Sequence, residues 1–234
     1  MRRLLFLDLD DTLFHSRRKV DPAGGEPVGF ASDGSEDSFM RPHQRAFFDW
    51  ISDGAEVIPT TGRSVAAYQR VRLPFTSWAI CAFGGVILRP DGTVHLGWRE
   101  QIAGPAEAAR ERLAALNDWT LATGGVRARV IEDDGLPLYV SVKTDVLPSL
   151  APLGERLRPL LPAGWRLHIH GPNLAILPAF LGKELAVRWF LDTVAGPDTV
   201  TFGVGDSVSD GPFMALCDFA ITPGRAPLLA RALG

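Results

Sequence analysis

The stretch Phe6-Leu7-Asp8-Leu9-Asp10-Asp11-Thr12-Leu13, entered from Leu4 and Leu5, decides the fold. An apolar run without polar alternation marks a strand covered on both faces, as parallel strands inside an α/β sheet are. Such a strand hands the next residue to the carboxyl edge of the sheet, where ligands bind in this architecture. The run from Thr199 to Gly205 reads the same way. Asp8 and Asp10 are therefore expected at one edge together with Asp206 and Asp210. Working outward, strand-like runs recur at Leu4–Leu7, Val57–Thr60, Trp78–Phe83, Val200–Val204 and Phe219–Ile221. Helical patterns at Gln44–Ile51 and Lys183–Val194 fall between them. This strand-then-helix rhythm predicts an α/β fold built on a doubly wound parallel sheet.

The chain has 234 residues, 46% of them hydrophobic, enough to bury a full core in one large domain or in a core with an inserted module. A formal net charge of −3 provides no general basic field, so a nucleic-acid partner is not expected. Cys81 and Cys217 lie far apart in apolar surroundings, which suits thiols of a reducing, cytoplasmic compartment rather than a disulfide framework. The first apolar run stops at Asp8, too early for a signal segment, and no other run is long enough to span a bilayer. No membrane partner is expected, and the oligomeric state is left open.

Residues 104–177 read twice as helix, strand, hairpin, strand, which predicts an α+β module inserted at 101–177 into a core of residues 1–100 and 178–234. Alternation gives its sheet two faces. Val126, Ala128, Val130, Leu138, Val140, Val142, Trp165, Leu167 and Ile169 form an apolar side for helices to cover. Arg127, Arg129, Tyr139, Ser141, Lys143, Arg166, His168 and His170 form a polar side with cations and no carboxylate; each residue alone reads as part of an ordinary solvated face, and together they suit a face presented to an anion. Residues 21–37, rich in Gly, Asp and Ser, read as a flexible flap or loop beside the first strand's exit.

In a regular strand Asp8 and Asp10, two residues apart, would point the same way, so the different directions that permit different roles need the chain to turn just after Asp8. One carboxylate can act as nucleophile and metal ligand, the other as proton donor and acceptor, with Thr12 bracing the turn. Aspartates also serve simply as turn hydrogen-bonders. Asp206 and Asp210 are hard oxygen ligands suited to Mg²⁺, or alternatively Ser209 or Asp210 caps the following helix, which leaves Asp206 unexplained. The scattered histidines lack zinc spacing. Thr61, Gly62 and Arg63 offer a hydroxyl and backbone N–H groups to phosphate oxygens, or alternatively a helix cap. Lys183 opens a helix against the dipole, which points to another task, such as neutralising clustered carboxylates and an incoming phosphate, with a solvated surface lysine as the alternative.

Taken in order, Asp8-x-Asp10-x-Thr12, Thr61-Gly62-Arg63, Lys183 and Gly205-Asp206-x-x-Ser209-Asp210 resemble the motifs of haloacid dehalogenase superfamily phosphatases. The insert resembles that superfamily's type-two cap, as in the sucrose-phosphate and mannosylphosphoglycerate phosphatases. The resemblance implies a Rossmann-like core and Mg²⁺-dependent hydrolysis of a phosphorylated sugar or similar metabolite. It further implies phosphorylation of Asp8, acid and base work by Asp10, and phosphoryl contacts from Thr61 and Lys183. Mg²⁺ would be held by Asp8, the Asp10 carbonyl and Asp206, with Asp210 close behind. Thr12, Gly62 and Arg63 join the substrate-binding set, and Arg129, Lys143, His168 and Asn173 are chosen from face geometry. Asp11 stands where many relatives have glycine, and Phe83 where many type-two relatives have asparagine. A sugar phosphomutase and a non-catalytic phosphometabolite-binding module are the alternative readings.

Overall fold

The structure, a computed structural model, describes residues 1–147 and 149–233. β1 (Arg2–Leu7) is followed by β2 (His15–Ser16), β3 (Glu26–Phe30), β4 (Glu36–Met40) and α1 (Pro42–Ser52). Next come β5 (Glu56–Pro59), the single turn α2 (Val65–Tyr68), β6 (Ala79–Cys81) and β7 (Val86–Leu88). The long α3 (Leu96–Ala122) leads to β8 (Arg127–Asp133), β9 (Leu136–Lys143), α4 (Ala151–Leu157), β10 (Arg166–His170) and β11 (Asn173–Leu177). The chain closes with α5 (Lys183–Phe190), β12 (Thr199–Val204), α6 (Gly211–Met214), β13 (Phe219–Ile221) and α7 (Pro227–Leu233). Two compact units result: Met1–Trp98 with the chain from Lys183 onward, and Arg99–Gly182.

The first unit is organised by a parallel sheet in the order β13-β12-β1-β5. A parallel bridge between Thr60 and Ile80 carries it on to β6, which pairs antiparallel with β7. Both faces of β1 are buried, as its unbroken apolar run requires. Leu5 and Leu7 pack with Phe48 of α1 and Val204 of β12. Phe6 projects to the other face, its ring edge-on to Phe190 of α5 at 5.7 Å.

The segment read as a loop at 21–37 instead supplies most of a three-stranded antiparallel sheet, β2-β4-β3. Its composition misleads because Gly24, Asp33 and Gly34 occupy turns, while Val28 within it and Phe39 and Met40 just beyond it are buried. This flap is tied to the turn after β1. Asp11 accepts from Lys19 Nζ (2.5 Å) and pairs with His15 Nδ1 (2.9 Å), whose other ring nitrogen meets Gln44 Nε2 at 3.3 Å.

In the second unit the antiparallel sheet runs β10-β11-β9-β8, and α3 and α4 cover one side of it. Leu113, Leu116, Leu153 and Leu157 from these helices pack on Val140, Val142, Leu174 and Ile176. Approach is close at Gly154, where a Cβ would lie 2.4 Å from Ile169 Cδ1. On the opposite face, pairing aligns Arg127, Lys143, Asn173 and His170 in one cross-strand row and Arg129, Ser141, Ala175 and His168 in the next. Two features depart from the alternation pattern. Tyr139 is buried rather than solvated, paired across the strands with Ile131. Asp145, just beyond β9, brings a carboxylate to this face through a 2.6 Å ion pair with Arg127.

Candidate active site

Parallel pairing of β1 with both β5 and β12 sets Leu7 beside Pro59 and Val204, so three chain exits emerge together at the carboxyl edge of the sheet. Asp8 leaves β1 there, with its N–H donating to Val204 O (2.9 Å). The turn the sequence demanded is present. Asp11 adopts φ 66°, a left-handed conformation that Asp tolerates better than most side chains. The chain then curls back so that Thr12 Oγ1 reaches Asp8 Oδ2 at 3.0 Å and Asp206 Oδ1 at 3.2 Å.

Lys183, the first residue of α5, is buried. Its Nζ donates to Asp8 Oδ1 (2.6 Å) and Asp210 Oδ1 (2.7 Å). A lysine there is unfavourable to the helix dipole but answers two buried carboxylates. Asp210 is further held by Ser207, whose N–H and Oγ donate to Oδ2 at 3.0 and 2.6 Å. Glycine at 205 is a packing necessity, because a Cβ would sit 2.5 Å from Asp210 Cβ. Asp8, Asp206 and Asp210 each offer an oxygen within 4.8 Å of the others, all three residues being buried.

Charge in this cluster is unbalanced. Burial, then Asp210 and Asp11, push the Asp206 carboxyl up to about 6. Burial also raises Asp8 well above the usual range, against the pull of Lys183. For Asp210, burial is outweighed by Lys183 and the two Ser207 donors, and its pKa is lowered. Burial opposes the Lys183 charge as well, but Asp210 and Asp8 prevail and raise it. Three carboxylates and one ammonium leave an excess of acid in a buried site. Hard oxygens so grouped fit a divalent cation such as Mg²⁺.

Asp10 points elsewhere. Its carboxylate is gripped bidentately by Arg63, Nε to Oδ2 at 2.8 Å and Nη2 to Oδ1 at 2.7 Å. The same Nη2 donates to Ser38 Oγ of the flap (3.1 Å), and the guanidinium lies over the Phe14 ring at 5.2 Å. Burial works against the Arg63 charge, yet Asp10 raises its pKa. Arg63, expected among substrate contacts, thus has its fork committed to Asp10. Thr61 is buried, and its Oγ1 accepts from the Arg63 N–H at 3.1 Å. Gly62 lies under Phe83, whose ring would stand 2.5 Å from a Cβ at that position. Phe83 itself has φ 55°.

Asp8, Thr12, Lys183, Asp206 and Asp210 therefore meet through direct contacts, with Thr61 and the Asp10–Arg63 pair on the adjoining loops. Arg129, Lys143, His168 and Asn173 belong to the other unit, where they share one sheet face in two adjacent rows. Sequence reasoning missed Ser207 and Ser38. Ser207 was detectable, since it follows Asp206 directly. Ser38 was hidden inside a segment read as loop.

No family model matches the sequence, and no curated protein matches it. Solved structures do match. The sucrose-phosphatase of Synechocystis sp. PCC6803, in complex with sucrose and phosphate, is 18% identical with a TM-score of 0.60, over 99% of this chain and 87% of that one. A haloacid dehalogenase-like hydrolase from B. subtilis is 17% identical with a TM-score of 0.53, over 100% and 93%. The C-terminal domain of the C. albicans trehalose-6-phosphate phosphatase is 12% identical with a TM-score of 0.55, over 91% and 72%. With a parallel core sheet, an inserted α+β unit and these likenesses, the chain has the fold of the haloacid dehalogenase-like hydrolases.

Proposed function

We propose that the protein hydrolyses a phosphate monoester of a sugar or similar polar metabolite through an aspartyl phosphate on Asp8. The observation that carries this reading is the setting of Asp8. It is a buried carboxylate at the edge of the sheet, one oxygen on Lys183 and the other on Thr12. Phosphoryl transfer asks a protein for positioning and for neutralisation of dispersed negative charge, and these residues supply both.

In the first displacement an Asp8 oxygen bonds to phosphorus as the ester P–O bond breaks, and Asp10 gives its proton to the departing oxygen. In the second, water attacks the same phosphorus and loses a proton to Asp10, releasing inorganic phosphate and restoring the Asp8 carboxylate. Lys183 and Thr61 hold phosphoryl oxygens, and Arg63 keeps the Asp10 carboxyl oriented. Mg²⁺ held by Asp8, Asp206, Asp210 and the Asp10 carbonyl would supply further neutralisation of phosphoryl charge. The unit Arg99–Gly182 is the cap that selects the leaving group. The fold shared with a sucrose-phosphatase supports a sugar-phosphate-like substrate.

The test is phosphate release from a panel of sugar and polyol phosphates with Mg²⁺, for the intact protein and Asp8→Asn. Release that falls to background in Asp8→Asn is expected. Isomerised sugar phosphate with little free phosphate would indicate a mutase instead, and tight binding without either product a sensor.

A further inference from the structure

The carboxylates and cations of the second unit are segregated. Its acidic side chains lie on α3 and α4 or at hairpin ends, most of them answered locally. Arg110 holds Glu107 and Glu132, Arg158 holds Glu155, and Arg99 holds Asp133 and Asp134. A solvated sheet face ordinarily intersperses both signs. The open face here does not. None of the strand residues in its two cross-strand rows is acidic, and Asp145, just beyond β9, reaches it beside Arg127.

The rows also have a shape. Ser141 and Ala175 occupy the two central strands of one row, with Arg129 and His168 on the outer strands. Strands about 4.8 Å apart place those outer positions about 14 Å from each other. Lys143 and Asn173 border this small-residue floor in the next row. The result is a shallow trough with a guanidinium on one wall and an imidazole on the other, wide enough for a small organic anion, and with guanidinium and amide donors matched to a carboxylate or phosphate.

We infer that the leaving group of the substrate carries a negative charge of its own, a carboxylate or second phosphate, received by Arg129, Lys143 and His168. This rests on the reading of Arg99–Gly182 as the cap of a phosphatase. It narrows that reading from phosphorylated sugars in general to phosphorylated acids.

Matched pairs test it: 6-phosphogluconate against glucose 6-phosphate, and 2-phosphoglycerate against glycerol 2-phosphate, each with Mg²⁺ and the full chain. The acid of each pair is expected to show a KM at least about tenfold lower. Arg129→Gln and Lys143→Gln should each erase most of that advantage, raising the KM of the acid far more than the KM of the partner that lacks the second charge. Equal or better use of the uncharged partner would overturn the inference while leaving the phosphatase reading intact, as would variants that raise both KM values alike. Calorimetry on Asp8→Asn protein separates the two readings further. Preferential binding of 6-phosphogluconate that Lys143→Gln abolishes supports the inference even without turnover, and absence of that preference refutes it.

Discussion

At the scale of single residues, Arg63 distinguishes two accounts of the site. If its fork orients Asp10, Arg63→Gln should lower kcat about 10- to 100-fold, a partial loss that reaches the lower end of what acid and base assistance contributes, and change KM little. Arg63→Lys, which keeps the charge but loses the planar fork, should recover part of that loss. A raised KM at unchanged kcat would return Arg63 to direct substrate contact. Steady-state kinetics on one phosphate ester decides between them. The aspartates and Lys183 were legible in the sequence because each stands where an apolar strand ends or a helix begins, and the sheet then dictates where they go. The grip of Arg63 on Asp10 was not legible. It joins residues 53 apart in sequence and depends on side-chain directions that no periodicity encodes.

At the scale of elements, the loops that follow β5 and β6 are made for each other. Gly62 leaves room for the Phe83 ring, and Phe83 takes a left-handed backbone to place it there. Gly62→Ala should lower stability by about 1–3 kcal/mol through overpacking, read from urea unfolding. Adding Phe83→Ala should remove most of the clash, so the double variant will be more stable than the sum of the single effects. Nothing in the sequence announced φ 55° at a phenylalanine, since L-residues with large side chains rarely adopt it. The core strands, by contrast, were readable from apolar runs. The flap was misread because its turn residues outnumber its few buried ones. Tyr139 was misplaced in solvent because alternation reports which side a residue faces and not whether that side is covered.

At the scale of the whole molecule, the excess acid of the site bears on folding stability. The Asp206 carboxyl is raised to about 6. Between pH 4 and 6 the folded protein therefore retains a proton that the unfolded chain has released, and stability from this group falls as pH rises through that window. Without divalent cation, Asp206→Asn should be more stable than the parent at pH 7, by about 1–3 kcal/mol, with the gap closing towards pH 4. Mg²⁺ should raise the melting temperature of the parent at pH 7 by mass action and that of Asp206→Asn much less. Thermal unfolding across pH, with Mg²⁺ or chelator, checks both. The order of the strands also has a consequence for synthesis. β1 leaves the ribosome first, yet one of its two sheet partners, β12, follows roughly two hundred residues later, about ten to forty seconds at ordinary elongation rates. Arg99–Gly182 is contiguous and is completed within that interval, whereas the nascent β1 must wait with an unpaired apolar edge. Its yield in cells should therefore depend on translation speed and on chaperones that shield Leu4–Leu7 until the last strands arrive.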